Sequence, residues 1–470
     1  MGRFVGEQAL AAVGASYALT NIFICVAIGG GIGASVIVSR YFGAGEYGRM
    51  KLAVYTALLA FLGVSVALGG VGLVLSREIM ILLNTPADVL DMAAEYLGIY
   101  FLGLPFLFMY NILSSMFNAL GKSRIPLYFL IFSSVFNVVL DVILVTRFQM
   151  GVAGVAWATL IAQGISAVLS FFVFLRALGK LDGARTGLFD RTELSDMTRI
   201  ALPSILQQST VSIGMMLVQS VVNGFGSEAL AGFSAAMRIE SICVVPMTGI
   251  GNAVSSYTAQ NMGARRNDRV ILGYHAANKL VAACAVIICV ALELFHHPII
   301  RLFLGENGTA TAVATGEGFL IFMGWFFCLI GFKMAVDGLL RGAGDMKMFT
   351  IANLVNLSIR VILAVTLAPR FGIAGCGTRC RWLVCQLGDF LFTLPDGKME
   401  NDAGQWITAS MRGIVATDRS VETAVPFALK PTSPPYSEHS MVTLLATGRP
   451  MMIAEIFTTM VGPKSAHRPK

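Results

Sequence analysis

Ten long apolar runs dominate the chain, at roughly 10–39, 52–75, 96–118, 125–146, 153–175, 200–225, 229–259, 273–295, 318–340 and 348–368. About 20 apolar residues in a helix cross the hydrocarbon core of a bilayer. Lipid offers a backbone no hydrogen-bond partner, so a span must satisfy its own amides, and runs this long do so as helices. Composition agrees: 56% of residues are hydrophobic and only 13% are charged, whereas soluble domains carry about 25% charged residues. The mean hydropathy is +0.74. The expected fold class is an all-α polytopic membrane protein, multi-pass in the cell inner (plasma) membrane.

The short loops between the runs alternate in charge. One set carries fifteen basic residues: Arg40, Arg49, Lys51, Lys122, Arg124, Arg176, Lys180, Arg185, Arg191, Arg199, Arg265, Arg266, Arg269, Arg341 and Lys347. The other carries four, Arg77, Arg147, Arg301 and Arg370. The excess marks the cytoplasmic side. It also accounts for the net charge of +7 as a topology signal, without nucleic acid as a partner. Cys25, Cys243, Cys284, Cys289 and Cys328 lie inside apolar runs, where cysteine acts as a small hydrophobe. No set of ligating residues clusters around the pair His296-His297, so no metal site is expected. No nucleophile–base constellation points to an enzyme.

The sequence also repeats itself. At an offset of 220, residues 5–44 align without a gap on 225–264, and eleven of the forty positions are identical, where about four would arise by chance in so Ala/Gly-rich a stretch. At 223, Gly121 meets Gly344 and Arg147-Phe148 meets Arg370-Phe371. Matching loops fall on the same side of the membrane. The repeats are therefore parallel and related by an axis along the membrane normal. The expected organisation is a first lobe over 1–180, a linker over 181–199 and a second lobe over 200–375, two six-helix-type repeats with about ten of twelve helices present. In the second repeat the run Leu202–Phe225 precedes the aligned block, whereas only four residues precede it in the first, so one helix is expected to be missing upstream. After Gly375 the repeat pattern stops, and Cys376-Gly377-Thr378-Arg379-Cys380-Arg381 can be coded by bases that read Leu-Trp-Tyr-Ala-Val-Pro in another frame. A frameshift near codon 376 is expected, with 376–470 a poorly ordered tail.

Acidic residues deep inside spans are functional candidates, because lipid makes them costly to hold. Asp141 stands out, with Asn137 one turn earlier on the same helix face. A carboxylate and an amide oxygen so placed can coordinate Na⁺. Alternatively the buried carboxyl can exchange a proton, or Asp141 can simply sit hydrated near a helix end. Glu240 and Asp337 also interrupt apolar runs; Glu240 can pair with Arg238, and Asp337 with Arg341 one turn later. Gln207, Gln208 and Gln219 are candidates to line a central cavity. The glycines Gly29, Gly31 and Gly33 lie within an apolar helix, where close helix packing explains them better than nucleotide binding.

Four stretches, in this order and spacing, resemble the multidrug-and-toxin-extrusion (MATE) family of the wider flippase superfamily: Gly-Glu-Gln-Ala-Leu-Ala-Ala-Val-Gly at 6–14, Arg-Ile-Glu-Ser at 238–241, Gln-Asn-Met-Gly-Ala at 260–264 and Leu-Arg-Gly-Ala-Gly-Asp at 340–345. The resemblance covers about 1–375. It implies a monomeric antiporter without cofactor, exporting organic, often cationic drugs in exchange for Na⁺ or H⁺. It further implies that Asn137 and Asp141 match the Asn-x-x-x-Asp of the family's amino-terminal cation site and that Thr159 matches the threonine of the following helix. The family completes that site with an aspartate from the helix missing upstream. Two other readings stand beside it: a lipid-linked oligosaccharide flippase of the same superfamily, and an inactive truncated transporter.

Overall fold

The computed structural model describes residues 7–358 apart from 84, 184–186, 224–225 and 306–307. The expectations for a helix upstream and for an out-of-frame tail at 376–470 lie outside these residues. Nine helices follow one another among the described residues: α1 (Glu7–Ala44), α2 (Tyr47–Leu82), α3 (Leu90–Ala119), α4 (Arg124–Thr146), α5 (Gly151–Gly179), α6 (Arg191–Asn223), α7 (Ser227–Gly263), α8 (Asn267–Leu304) and α9 (Ala310–Ala343). Another helical stretch runs over 346–358. Eight of the helices are long and apolar enough to cross a membrane. Several exceed the apolar run that founds them: α1 has 38 residues, about 57 Å of helix against a hydrocarbon core of about 30 Å. The surplus carries the charged ends into the headgroups and water.

The duplication reappears in the helix boundaries. Glu7 and Ser227, Tyr47 and Asn267, and Leu90 and Ala310 open corresponding helices, each pair 220 residues apart. Helices α3 and α9 also stop in the same way. Gly121 (φ +69°) and Gly344 (φ +81°) occupy the left-handed region that glycine enters freely. Just beyond them, the Lys122 N–H donates to Phe117 O at 2.9 Å and the Asp345 N–H to Leu340 O at 3.0 Å. That six-to-one bond closes a Schellman cap and satisfies carbonyls the helix would leave open.

By contacts the chain divides into two compact units. The first holds residues 1–213, 244–284 and 330–354. In it α3 packs against α1, α2 and α5, and α4 rests mainly on α5. Its core is aromatic and small-residue rich, with Phe117 edge-on to Phe174 at 5.1 Å. The outward face of α2 is lined by exposed Leu59, Leu62, Val66, Val71 and Val74, the surface a bilayer would cover. The linker is moored rather than loose: Lys51 Nζ donates to Leu181 O at 2.7 Å, and Asp190 accepts from the N–H groups of Thr192 and Glu193, capping α6. Those two N–H donors hold the Asp190 carboxyl below the usual carboxylate range. The second unit holds, of the described residues, those within 214–243, 285–329 and 355–358. There Phe233 meets Phe319 edge-on at 5.4 Å, Trp325 Nε1 donates to Glu293 Oε1 at 2.6 Å, and His297 pairs with Glu317.

Within the first unit, close glycine contacts join corresponding helices in both repeats. A Cβ on Gly31 of α1 would lie 2.6 Å from Ser115 Oγ of α3, and one on Gly251 of α7 would lie 2.6 Å from Met334 O of α9. Gly251 answers Gly31 at the offset of 220. A Cβ on Gly338 would fall onto the Gly251 carbonyl oxygen, whereas one on Gly318, in the same helix, would meet nothing within 4 Å. Gly338→Ala should therefore lower thermal stability by about 1–3 kcal/mol through overpacking. Gly318→Ala should leave stability unchanged or raise it by up to about 1 kcal/mol through helix propensity. Melting of the two purified variants in one detergent checks the contrast; equal effects would remove the packing argument.

Candidate functional site

Helix α4 lies at the edge of its unit, and Pro126 is its one buried residue. The partly covered residues form a stripe, Ile125, Phe129, Ser133, Phe136, Asn137, Leu140, Asp141, Leu144 and Val145. These positions recur every three to four residues and so share one helix face. That face rests on α5. The structure thus turns both polar members of the expected cation site toward the neighbouring helix.

There Asn137 Nδ2 donates to Thr159 Oγ1 at 3.3 Å, and Thr159 Oγ1 in turn donates to Val155 O at 3.0 Å. Asn137 spends an N–H on this contact, so its amide oxygen remains an acceptor available to a cation. One turn along, Asp141 Oδ1 is buried without a hydrogen-bond partner. Asn137 and Thr159 are thereby joined across α4 and α5, with Asp141 one turn along α4. Beside them a small recess opens between α3 and α5, lined by Tyr96, Tyr100, Gly103, Thr159, Leu160 and Gln163. The two tyrosines and Gln163 were not among the expected site residues. Only their spacing toward α5 identifies them, and that requires the helix pairing. Tyr100 Oη donates to the Thr20 carbonyl at 3.2 Å and so ties α3 to α1.

The second-repeat candidates fall apart into separate environments. Glu240 lies buried on α7 in the second unit, while Arg238 is exposed. Residues two apart on a helix point to different sides of it, in keeping with the buried acid and the exposed base. Gln207 and Asp337 do meet in the first unit, Gln207 Nε2 donating to Asp337 Oδ2 at 2.7 Å. The direct ion pair of Asp337 is with Lys333, one turn earlier, at 2.7 Å on the same oxygen, and the expected partner Arg341 acts on Asp337 through its charge alone. Arg341 instead donates to Asn252 of α7 at 3.3 Å and lies 5.8 Å from the Phe349 ring centroid. Gln208 contributes its backbone carbonyl to Ser212 Oγ at 3.2 Å, and the Gln219 side chain is outside the described residues. Among the described residues no group of three or more ligating side chains could hold a metal ion.

At the basic end of the first unit the two repeats clasp each other. A Cβ on Gly43 would fall onto the Gln260 carbonyl, and one on Gly263 onto the Arg40 carbonyl. Gly43 and Gly263, and Arg40 and Gln260, are repeat mates at the offset of 220. Their side chains cross as well. Arg40 Nη2 donates to Ala343 O at the end of α9, 3.3 Å away, and Gln260 Nε2 donates to Ala119 O at the end of α3, 2.7 Å away. Each repeat caps a helix of the other.

An all-helical, internally duplicated, multi-pass membrane protein with a polar site inside its first repeat is thereby defined. The chain belongs to the MatE family, whose profile matches residues 1–143 and 203–366. Members of this family are transporters. The chain is 32% identical over 357 residues to the "Probable multidrug resistance protein YpnP" of Bacillus subtilis (strain 168), covering 76% of this chain and 79% of that protein. It is 29% identical over 363 residues to the "Probable multidrug resistance protein YoeA" of the same organism, covering 75% and 78%. Its fold is similar to a solved structure described as the "Outward-facing conformation of a multidrug resistance MATE family transporter of the MOP superfamily", with a TM-score of 0.77, 22% identity, and coverage of 88% of this chain and 90% of that one.

Thr159→Val removes the acceptor used by Asn137 while keeping the side chain's shape. It should destabilise the protein by about 1 kcal/mol, and Thr159→Ser should restore most of the loss. Thermal melting of both variants in the same detergent reads the difference, and an unchanged midpoint in Thr159→Val would show that the contact adds nothing to stability.

Proposed function

We propose that the chain exports organic, cationic and amphipathic compounds in exchange for inward Na⁺ or H⁺, by alternating access of its two lobes. The observation that carries this reading is the buried, unpartnered Asp141 Oδ1, one turn from an asparagine held by Thr159. An intramembrane carboxylate in that state gains from a cation or a proton, and each cancels the charge that lipid penalises. The relatives named as multidrug resistance proteins support the substrate class.

Exchange requires that cation and substrate favour opposite-facing states, since a ligand shifts an equilibrium only by its differential affinity for the two. The reciprocal Arg40 and Gln260 contacts at the basic end supply a two-state element. They close that side together, and because each is a single hydrogen bond to a helix terminus they can part without unfolding either lobe. A lipid-linked oligosaccharide flippase would need basic side chains free for a pyrophosphate. The basic residues of α9 are already engaged, half-buried Lys333 by Asp337 and buried Arg341 by Asn252, which favours the drug exporter.

Asp141→Asn keeps size and hydrogen bonding while removing the charge. In proteoliposomes loaded with a fluorescent organic cation, it should reduce Na⁺- or pH-gradient-driven efflux to background while the protein still folds and inserts. Asn137→Ala should weaken efflux less, because it removes one neutral oxygen. Undiminished efflux from Asp141→Asn across a range of pH and Na⁺ would return this residue to a hydrated helix-end role.

A further inference from the structure

Asp337 is only 2% exposed. A carboxylate so placed needs a positive partner, and in a membrane transporter such a group is ordinarily where a mobile cation binds. Here the position is already filled. Lys333 Nζ lies 2.7 Å from Asp337 Oδ2, and Gln207 Nε2 donates to the same oxygen from α6 at 2.7 Å. The ammonium is fixed from a second direction by Asn353 Oδ1 at 3.0 Å, so it sits between two acceptors, its side chain 11% exposed against 2% for the carboxylate. We propose that Lys333 is a resident counter-ion that closes Asp337 to mobile cations, so that the second repeat holds a carboxylate site kept occupied by its own helix.

Three arguments converge on this. The first is effective concentration. An ammonium one helical turn from its carboxylate cannot diffuse away, and a free ion must compete against a partner held at a high local concentration. The second is the repeat. At the offset of 223 that aligns Gly121 with Gly344, Lys333 and Asp337 correspond to Tyr110 and Ser114. Both charges are present in one repeat and both are absent from the other, as expected of a pair that works as a unit. The third is the local charge. The nearest basic neighbour along α9, Arg341, is 5% exposed, donates to Asn252 and lies close enough to Asp337 for their charges to interact. The cluster Lys333, Asp337 and Arg341 therefore carries a net positive charge, and a further cation would meet repulsion as well as competition. The inference is independent of whether Asp141 couples transport.

The test is thermal melting of the purified full-length chain, in detergent, as Na⁺ replaces a bulky organic cation and as pH is lowered. Lys333→Gln should expose the carboxylate and create a new stabilisation by Na⁺ or by acidification. A rise in melting temperature of roughly 2–4 °C between about 1 and about 100 mM Na⁺, or over two pH units, is expected. Lys333→Arg keeps the resident charge and should show no gain, and the double variant Lys333→Gln/Asp337→Asn should lose it. A Lys333→Gln chain that folds but gains no Asp337-dependent response overturns the proposal. Should Lys333→Gln not purify folded, the wild type and Asp337→Asn decide the matter. With Lys333 in place their Na⁺ and pH responses should coincide, and a response present in the wild type but lost in Asp337→Asn overturns the proposal equally.

Discussion

Backbone-to-backbone approach at glycine is the contact on which the first unit depends. Lipid removes the hydrophobic drive for helices to associate, so they hold together by close packing and by polar contacts. Where α1 passes α7 at the basic end, and where α7 passes α9, a single methyl group would land on a carbonyl oxygen of the partner. At that distance the crossing helices gain dispersion along their backbones, and the side chains flanking the glycines come within reach of the opposite helix. Arg40 and Gln260 flank the first crossing, and both cap a helix of the other repeat. The clasp is thus a consequence of the glycines, and its two-fold character is a consequence of gene duplication.

Much of this was legible in the sequence because its signals are long or repeated. The apolar runs gave the helices, since about 20 residues of lipid-compatible sequence leave little choice. Gly121 and Gly344, aligned in the sequence as repeat mates, share one helix ending in the structure, because a residue tolerant of the left-handed region closes a helix this way. Asn137 and Asp141 were readable as a pair because residues four apart share a face. Their link to Thr159 came from family resemblance, and the Asn137–Thr159 hydrogen bond now gives it a physical basis.

What could not be read was direction. A carboxylate on a helix has a neighbour one turn before and another one turn after, and the expectation from sequence named Arg341 as the partner of Asp337 without weighing Lys333. The helices packed around α9 decide which is hydrogen-bonded: Asn353 holds the ammonium against the carboxylate, and Asn252 accepts from the guanidinium. Tyr96, Tyr100 and Gln163 were missed for a related reason. They are ordinary residues for a membrane helix, and they become a recess beside Thr159 only once α3 and α5 are set together.

Duplication supplied two copies of one scaffold, but the charges within it are not duplicated. The positions of Asn137 and Asp141 correspond in the second repeat to Arg360 and Ala364, and those of Lys333 and Asp337 correspond in the first to Tyr110 and Ser114. A strictly symmetric transporter would bind the same ion in both lobes and gain little from having two. In this chain the carboxylate of the first repeat has an oxygen with no hydrogen-bond partner, while that of the second is neutralised within its own helix turn. The buried charge of Asp337 is met by an ammonium carried on its own helix, an arrangement with no counterpart at Tyr110 and Ser114.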